Sequence, residues 1–280
     1  MTTRFAVVTG SSTGIGQATV ERLAFSGWHV WGGVRSAADA QRISQTSGVN
    51  ALRMDVTDDS EIGNAFGEVE KEISGSGLNL LVVNAGVVVA GPIELLTREQ
   101  WREQLEVNVV GVASTIRAAL PLMSDAEDPR IIVVGSINSR VGVPLLGPYV
   151  ASKHALVGLL SSLRRELPAR GPRITLLEPG AVRTPLWDKA REASQRFDSE
   201  VSNAGSYGYE DLIRNAQRRL NQEGHRGMNP SKVAAIIEQC ANRARPPKRR
   251  LIGRDARLAA VAERMLGGRV LDFVLQKFRS

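Results

Sequence analysis

The sequence predicts an α/β fold: a doubly wound, mostly parallel sheet of seven strands with helices on both faces, forming a single domain over residues 1–280. Three observations predict it. Short β-branched runs alternate with longer segments of helical period, no internal repeat or low-complexity linker divides them, and a glycine-rich turn joins the first run to the first helical segment. Parallel strands connected through helices need both sheet faces covered, which explains why the strand runs are apolar throughout rather than alternating.

The expected strands are Phe5–Thr9, Trp28–Val34, Asn50–Met54, Leu78–Val83, Ile131–Val134 and Arg173–Leu177, with Arg250–Gly253 as the seventh. Between them, helical spacing covers Ile15–Ser26, Ala37–Gln45, Asp58–Ile73, Arg98–Leu120 and Pro148–Leu167. Asn229-Pro230-Ser231 reads as the start of a further helix through Val233–Ala241. Residues 179–229 are polar, arginine-rich and weakly periodic, so a substrate lid is expected over about 182–228. A C-terminal amphipathic tail is expected over about 255–280, where Val270, Leu271, Val274, Leu275 and Phe278 form a helical stripe.

Composition excludes several classes. With 42% hydrophobic residues and 36 basic against 29 acidic side chains, the chain is neither disordered nor fibrous. One cysteine, Cys240, cannot form an internal disulfide, and Met1–Gly10 has no secretory pattern, so a reducing, cytoplasmic setting is expected. The longest uncharged stretch, Ile73–Ile93, is broken by Gly75, Gly77, Asn79, Asn84, Gly86, Gly91 and Pro92 and reads as a strand between loops, not a bilayer span. The net charge of +7 is carried by residues 161–280, which hold 24 basic and 13 acidic groups. No aromatic residue interrupts Arg245–Arg250, so no nucleic-acid partner is expected. The basic tail stripe suits weak peripheral membrane contact, a partner subunit or the protein's own core.

The chemistry clusters at two places. In Thr9-Gly10-Ser11-Ser12-Thr13-Gly14-Ile15-Gly16, Gly10 permits a tight turn, and Gly14 and Gly16 let backbone approach a diphosphate and pack helix on strand. The helix that follows offers unpaired N–H groups to an anion, which makes the turn a dinucleotide cradle. The second cluster is Ser136, Tyr149 and Lys153. The last two stand four apart at the start of a helix and share a face, while Ser136 ends the fifth strand at the carboxyl edge of the sheet. Ser139 competes with Ser136 but falls further into the loop. His154 sits about 100° round the helix from Lys153 and reads as a surface or packing residue.

Taken with Asn84-Ala85-Gly86, Asn108 and Pro179-Gly180, these motifs resemble, in order, the series of the classical short-chain dehydrogenase/reductase family, over about residues 5–185. The spacing of Ser136 to Tyr149 matches the family's serine better than that of Ser139. The surrounding sequence is most similar to the hydroxysteroid and retinol dehydrogenase branch.

The resemblance implies a Rossmann fold and an oxidoreductase in which Tyr149 exchanges a proton with a carbonyl or alcohol oxygen, Ser136 holds that oxygen and hydride passes to or from a nicotinamide. Lys153 would lend Tyr149 positive charge and reach the ribose, and Asn108 would position water in a proton relay. The cofactor contacts it implies are Gly10, Ser12, Thr13, Gly14, Ile15, Gly16, Arg35, Asp55, Val56, Asn84, Ala85, Gly86, Tyr149, Lys153, Pro179, Gly180, Val182 and Thr184.

The end of the second strand reads Gly32-Gly33-Val34-Arg35, with no acidic group to hold ribose hydroxyls; Arg35 suits a 2′-phosphate, so NADP(H) is preferred, with NAD(H) usable. Val143 and Leu146 ahead of Tyr149, with Trp187 in the lid, suggest a lipophilic alcohol or ketone of steroid or retinoid type. No metal is expected. A homodimer or homotetramer is expected from the resemblance, and a non-catalytic dinucleotide-binding sensor or scaffold is the rival reading.

Overall fold

A computed structural model describes residues 3–73, 75–188, 209, 211–215, 218 and 227–263. Seven parallel strands form one sheet in the order β3-β2-β1-β4-β5-β6-β7: β1 Arg4–Val8, β2 Trp28–Val34, β3 Val49–Arg53, β4 Leu80–Val83, β5 Arg130–Val134, β6 Arg173–Pro179 and β7 Arg249–Ile252. The expected strands are all present, within about two residues at each end. The helices between them are α1 Gly14–Phe25, α2 Ala37–Ile43, α3 Asp59–Ile73, α4 Arg98–Leu105, α5 Gly111–Met123, α6 Gly147–Glu166 and α7 Pro230–Asn242. Asn229 caps α7 by accepting from the Ser231 N–H at 2.9 Å, as its sequence predicts.

Alternation along the strands sorts the core into two layers. Val7, Leu81, Ile131 and Leu176 join Phe66 and Val69 of α3, Val112 and Ile116 of α5, and Leu156 and Leu160 of α6. Val8, Val82, Ile132 and Leu177 face the other way, against Val20 and Leu23 of α1 and Val233 and Ile237 of α7. Apolar burial on both faces is what makes the strands near-continuous hydrophobic runs.

The fourth helix departs from its expected uninterrupted course over Arg98–Leu120. Glu106–Val110 forms a π-helical segment between α4 and α5. The cause is local packing. A side chain at Gly111 would meet the Val56 carbonyl oxygen at 2.7 Å, so the helix is pressed against the end of β3 there. The adjacent Asn108 is drawn towards the backbone at Val87. The continuous helix 98–123 is also apolar and long enough to cross a membrane by length and composition. Here Val112, Ile116, Ala119 and Met123 place its apolar stripe under the sheet.

The strand order reverses between β1 and β4, which opens a crevice at their carboxyl ends. Of the expected lid, 182–188, 209, 211–215, 218 and 227–228 are described. Of the expected tail, 255–263 continue a helix that begins at 254, and the stripe Val270, Leu271, Val274, Leu275 and Phe278 lies outside the described residues. Leu160, fully buried where α6 meets the sheet, sets the scale of the core. Leu160→Ala is expected to lower unfolding free energy by about 2–5 kcal/mol in urea denaturation with an unchanged m-value.

Candidate active site

The crevice becomes a cleft of about 410 Å³ running from the β2–α2 turn to Trp187, within the size range of small-molecule sites. Its floor is the glycine turn. Gly10 has a left-handed backbone (φ 65°), and a side chain there would meet the Ala85 Cα at 2.7 Å. Gly14 (φ 60°) faces Thr184 across the cleft. Gly16 has a different task from approach to a diphosphate. It does not line the cleft; a side chain there would strike the Gly10 carbonyl oxygen at 2.1 Å, so Gly16 lets α1 close onto the turn.

The turn is tied from three sides. The Ser11 N–H donates to the Gly33 carbonyl at 2.9 Å, and the Asn84 Nδ2 donates to the carbonyls of Thr9 and Gly10 at 3.1 and 3.0 Å. Thr9 Oγ1 accepts from the Asn84 and Ala85 N–H groups, both at 3.0 Å. Asn84 thus shapes the cradle rather than only bordering it.

At the cleft's other end, α6 begins with Pro148 in its first turn and buries Tyr149, Ser152, Lys153, Leu156 and Leu160 along one stripe. Its polar start and apolar continuation follow from the same helical spacing. The Tyr149 hydroxyl hydrogen-bonds with Ser136, and the Lys153 ammonium lies 5.5 Å from the Tyr149 ring centroid. Lys153 Nζ donates to the Val134 carbonyl at 3.1 Å, and no carboxylate pairs with it among the described residues.

Burial pushes the Tyr149 phenol up to about 12, against the lowering effect of Ser136. Burial also pushes Lys153 down to about 8. The phenol therefore holds its proton at neutral pH, and the ammonium remains mostly charged there. The depression of Tyr149 expected from Lys153 does not appear in the protein alone: desolvation of the phenol dominates, and the lowering contribution comes from Ser136.

Ser136 Oγ accepts from the Asn138 N–H and donates to Asn138 Oδ1, both at 3.1 Å, which holds the serine in an extended conformation at the mouth of β5. Ser136 lines the cleft and Ser139 does not. His154 is exposed, its Nδ1 3.0 Å from the Val150 carbonyl oxygen, and takes no part in the cleft.

Gly10, Ser12, Thr13, Gly14, Ile15, Arg35, Asp55, Val56, Asn84, Ala85, Gly86, Ser136, Tyr149, Lys153, Pro179, Gly180, Val182, Thr184 and Trp187 all line the cleft. Asn108, Val143 and Leu146 do not. The Asn108 side chain is already committed: Oδ1 accepts from the Val87 N–H at 2.9 Å, and Nδ2 donates to the Val87 carbonyl and to Ser152 Oγ, each at 3.1 Å. The carboxamide thereby ties this helix to the backbone at Val87 and to α6. Val143 stays partly exposed, whereas Leu146 packs with Tyr149, Val88 and Ala90 beside the cleft. The Asp55 Oδ1 accepts from the Thr57 N–H and hydroxyl at 2.9 and 2.8 Å, so part of its carboxylate stabilises a turn.

Two charged cleft residues were not anticipated. Arg42, on α2, donates to the Ser12 carbonyl and to Asp39, each at 2.6 Å, and Asp39 is further held by the Ser36 hydroxyl at 2.8 Å. Both reach the cleft near Arg35. The one available signal was their spacing of three on a helix directly after β2.

A family model described as short chain dehydrogenase matches residues 4–195. The chain belongs to the short chain dehydrogenase family. This short-chain dehydrogenase is accordingly an oxidoreductase working between CH–OH and C=O groups. It is 29% identical over 280 residues to an "NADPH-dependent 3-dehydrocapnine reductase" of Ornithobacterium rhinotracheale, covering 98% of this chain and 96% of that protein. It is 32% identical to "Uncharacterized oxidoreductase YusZ" of Bacillus subtilis (strain 168), covering 99% of each. A solved short-chain dehydrogenase from Streptomyces avermitilis shares the fold, with a TM-score of 0.79 at 24% identity, covering 99% of this chain and 97% of that one.

Gly16→Ala in this short-chain dehydrogenase is expected to weaken NADPH binding by at least about tenfold while the far-UV circular dichroism is kept, because the added methyl displaces the Gly10 carbonyl. Fluorescence titration measures it.

Proposed function

We propose that this short-chain dehydrogenase is an NADP(H)-dependent enzyme interconverting a primary or secondary alcohol and its carbonyl on a lipophilic small molecule. The observation that carries the reading is the convergence of Ser136, Tyr149 and Lys153 on the same cleft as the glycine turn. The cleft fits a dinucleotide: Gly10 and Gly14 keep its floor free of side chains, and the buried Lys153 ammonium meets no carboxylate among the described residues.

In this reading Ser12, Thr13, Gly14 and Ile15 hold the diphosphate, Val56, Ala85 and Gly86 border the adenosine half, and Asp55 contacts the adenine with the part of its carboxylate not held by Thr57. Pro179, Gly180, Val182 and Thr184 cover the nicotinamide end. A bound nicotinamide dinucleotide supplies or accepts the hydride. Tyr149, protonated at neutral pH, donates its proton to the substrate oxygen during reduction and recovers it during oxidation. Ser136 holds that oxygen by a hydrogen bond, and Lys153 stabilises the phenolate left behind while reaching the ribose hydroxyls.

Preference for NADP(H) rests on Arg35 and Arg42 together. The one carboxylate among these groups, Asp39, is already engaged by Arg42 and Ser36. The related reductase whose name specifies NADPH supports the same choice. A lipophilic substrate is supported by the cluster beside Tyr149, in which Val88, Ala90, Leu146, Val150, Leu186 and Trp187 bring no charged group. Steroids and retinoids are the first compounds to test, with simple ketones alongside.

Screening these compounds for NADPH consumption tests the function. Tyr149→Phe is expected to lower kcat by about 10²–10⁴-fold with NADPH affinity retained. Turnover of no lipophilic carbonyl or alcohol would favour a dinucleotide-binding sensor instead. Arg35→Ala is expected to reduce kcat/KM with NADPH by about 10–100-fold and to leave NADH turnover nearly unchanged.

The pH dependence of reduction follows from the two shifted groups. Lys153 is charged below about 8 and loses its charge as pH rises through that value, while Tyr149 keeps its proton to about 12. Reductive kcat/KM is therefore expected to be level on the neutral side of pH 8 and to fall above it, by about tenfold per pH unit where the ammonium is required, as a steady-state pH profile reports.

A further inference from the structure

Glu178 is fully buried on β6, outside the cleft and unused by the chemistry above. Arg140 reaches it through Nε at 2.9 Å and Nη2 at 2.6 Å, and Arg249 of β7 through Nε at 3.2 Å and a second contact from Nη2. Despite burial, which raises its pKa, hydrogen bonds from Arg140, Arg249 and Ser139 hold the carboxyl below the usual range, so it is ionised at neutral pH. A buried carboxylate with two guanidinium partners on different elements has one available position.

From that fixed point a short chain of contacts leads into the active site. The Ser139 hydroxyl lies 2.7 Å from Glu178 Oε1 and 2.6 Å from the Ser136 carbonyl oxygen, sharing its single proton between them. The Ser139 N–H donates to that same Ser136 carbonyl at 3.0 Å. Ser136 in turn presents its hydroxyl to Tyr149. The turn Ile137–Ser139 is thus clamped at one end by Glu178 and carries Ser136 at the other.

We infer that Ser139 and Glu178 are positioning residues for the reaction: the buried carboxylate on β6 grips the turn after β5 through the Ser139 hydroxyl, and so fixes the Ser136 hydroxyl against Tyr149. This inference rests on the oxidoreductase reading of the cleft. The grip acts on orientation, and a displacement of about 1 Å at a group holding the reacting oxygen is sufficient to slow chemistry by about 10²-fold. Ser139 also explains why a second serine lies so near the first in sequence, and Arg249 gives part of the basic 245–250 stretch an internal partner.

Ser139→Ala tests the inference without breaking either ion pair. The expected result is a kcat about tenfold lower, with KM and NADPH affinity within about twofold of the wild type. In a Ser136→Ala background the same substitution is expected to change kcat by less than about twofold, because the group it positions is gone. Hydrogen exchange at the Asn138 and Ser139 amides is expected to quicken in Ser139→Ala without any ligand present. Glu178→Gln, which keeps an acceptor for Ser139, is expected to stay closer to wild-type kcat than Glu178→Ala. An active wild type whose kcat is unaltered by Ser139→Ala, or altered equally in both backgrounds, would overturn the positioning role alone. A wild type that turns over no carbonyl or alcohol would overturn the oxidoreductase reading on which the role rests.

Discussion

Lys153 carries an ammonium group into the protein with the Val134 carbonyl as its hydrogen-bond acceptor and no carboxylate paired to it among the described residues. Such a charge is expensive to bury, and burial accordingly pushes its pKa down to about 8. A fold tolerates the arrangement when an external group completes it. Residues of α6, of the carboxyl end of β5 and of the glycine turn line one cleft with that ammonium. Tyr149 shares the helix stripe one turn earlier.

The opposing shifts of the two groups set the protonation of the site at neutral pH. Desolvation alone makes Tyr149 a weaker acid and Lys153 a weaker base, so the isolated protein stores a proton on the phenol while most of the ammonium charge survives at neutral pH. In the proposed reduction that state donates a proton to the substrate oxygen. The rest of the cleft supplies orientation: Ser136 is held by Asn138, the turn beyond it by Ser139 and Glu178, and the cradle by Thr9, Asn84 and Gly33. Apart from the local Ser136–Asn138 pair, these contacts join segments far apart in sequence, as preorganisation of a site requires.

Much of this was legible in the sequence because it follows from local periodicity. The i, i+4 spacing of Tyr149 and Lys153 and the placing of Gly10 and Gly14 after a strand required no tertiary knowledge. The strand alternation with helices likewise gave the sheet. What stayed hidden depended on where side chains end in space. Asn108 is a polar residue at the right place along its helix, yet a π-helical turn delivers its carboxamide to the Val87 backbone. Gly16 belongs to the glycine motif but serves helix packing. Arg42 enters the cleft because α2 leans over Ser12, and Glu178 meets Arg140 and Arg249 across separations of 38 and 71 residues. No pattern in one segment encodes such meetings.

The account depends on the Lys153 charge acting on Tyr149 within this cleft, and removing the charge while keeping the side-chain length tests it most directly. In Lys153→Met, the pH profile of single-turnover reduction is predicted to lose its break near 8 and to lie below the wild-type rate at every pH, with NADPH binding weakened. A variant that keeps both the break and the wild-type rate would contradict the account.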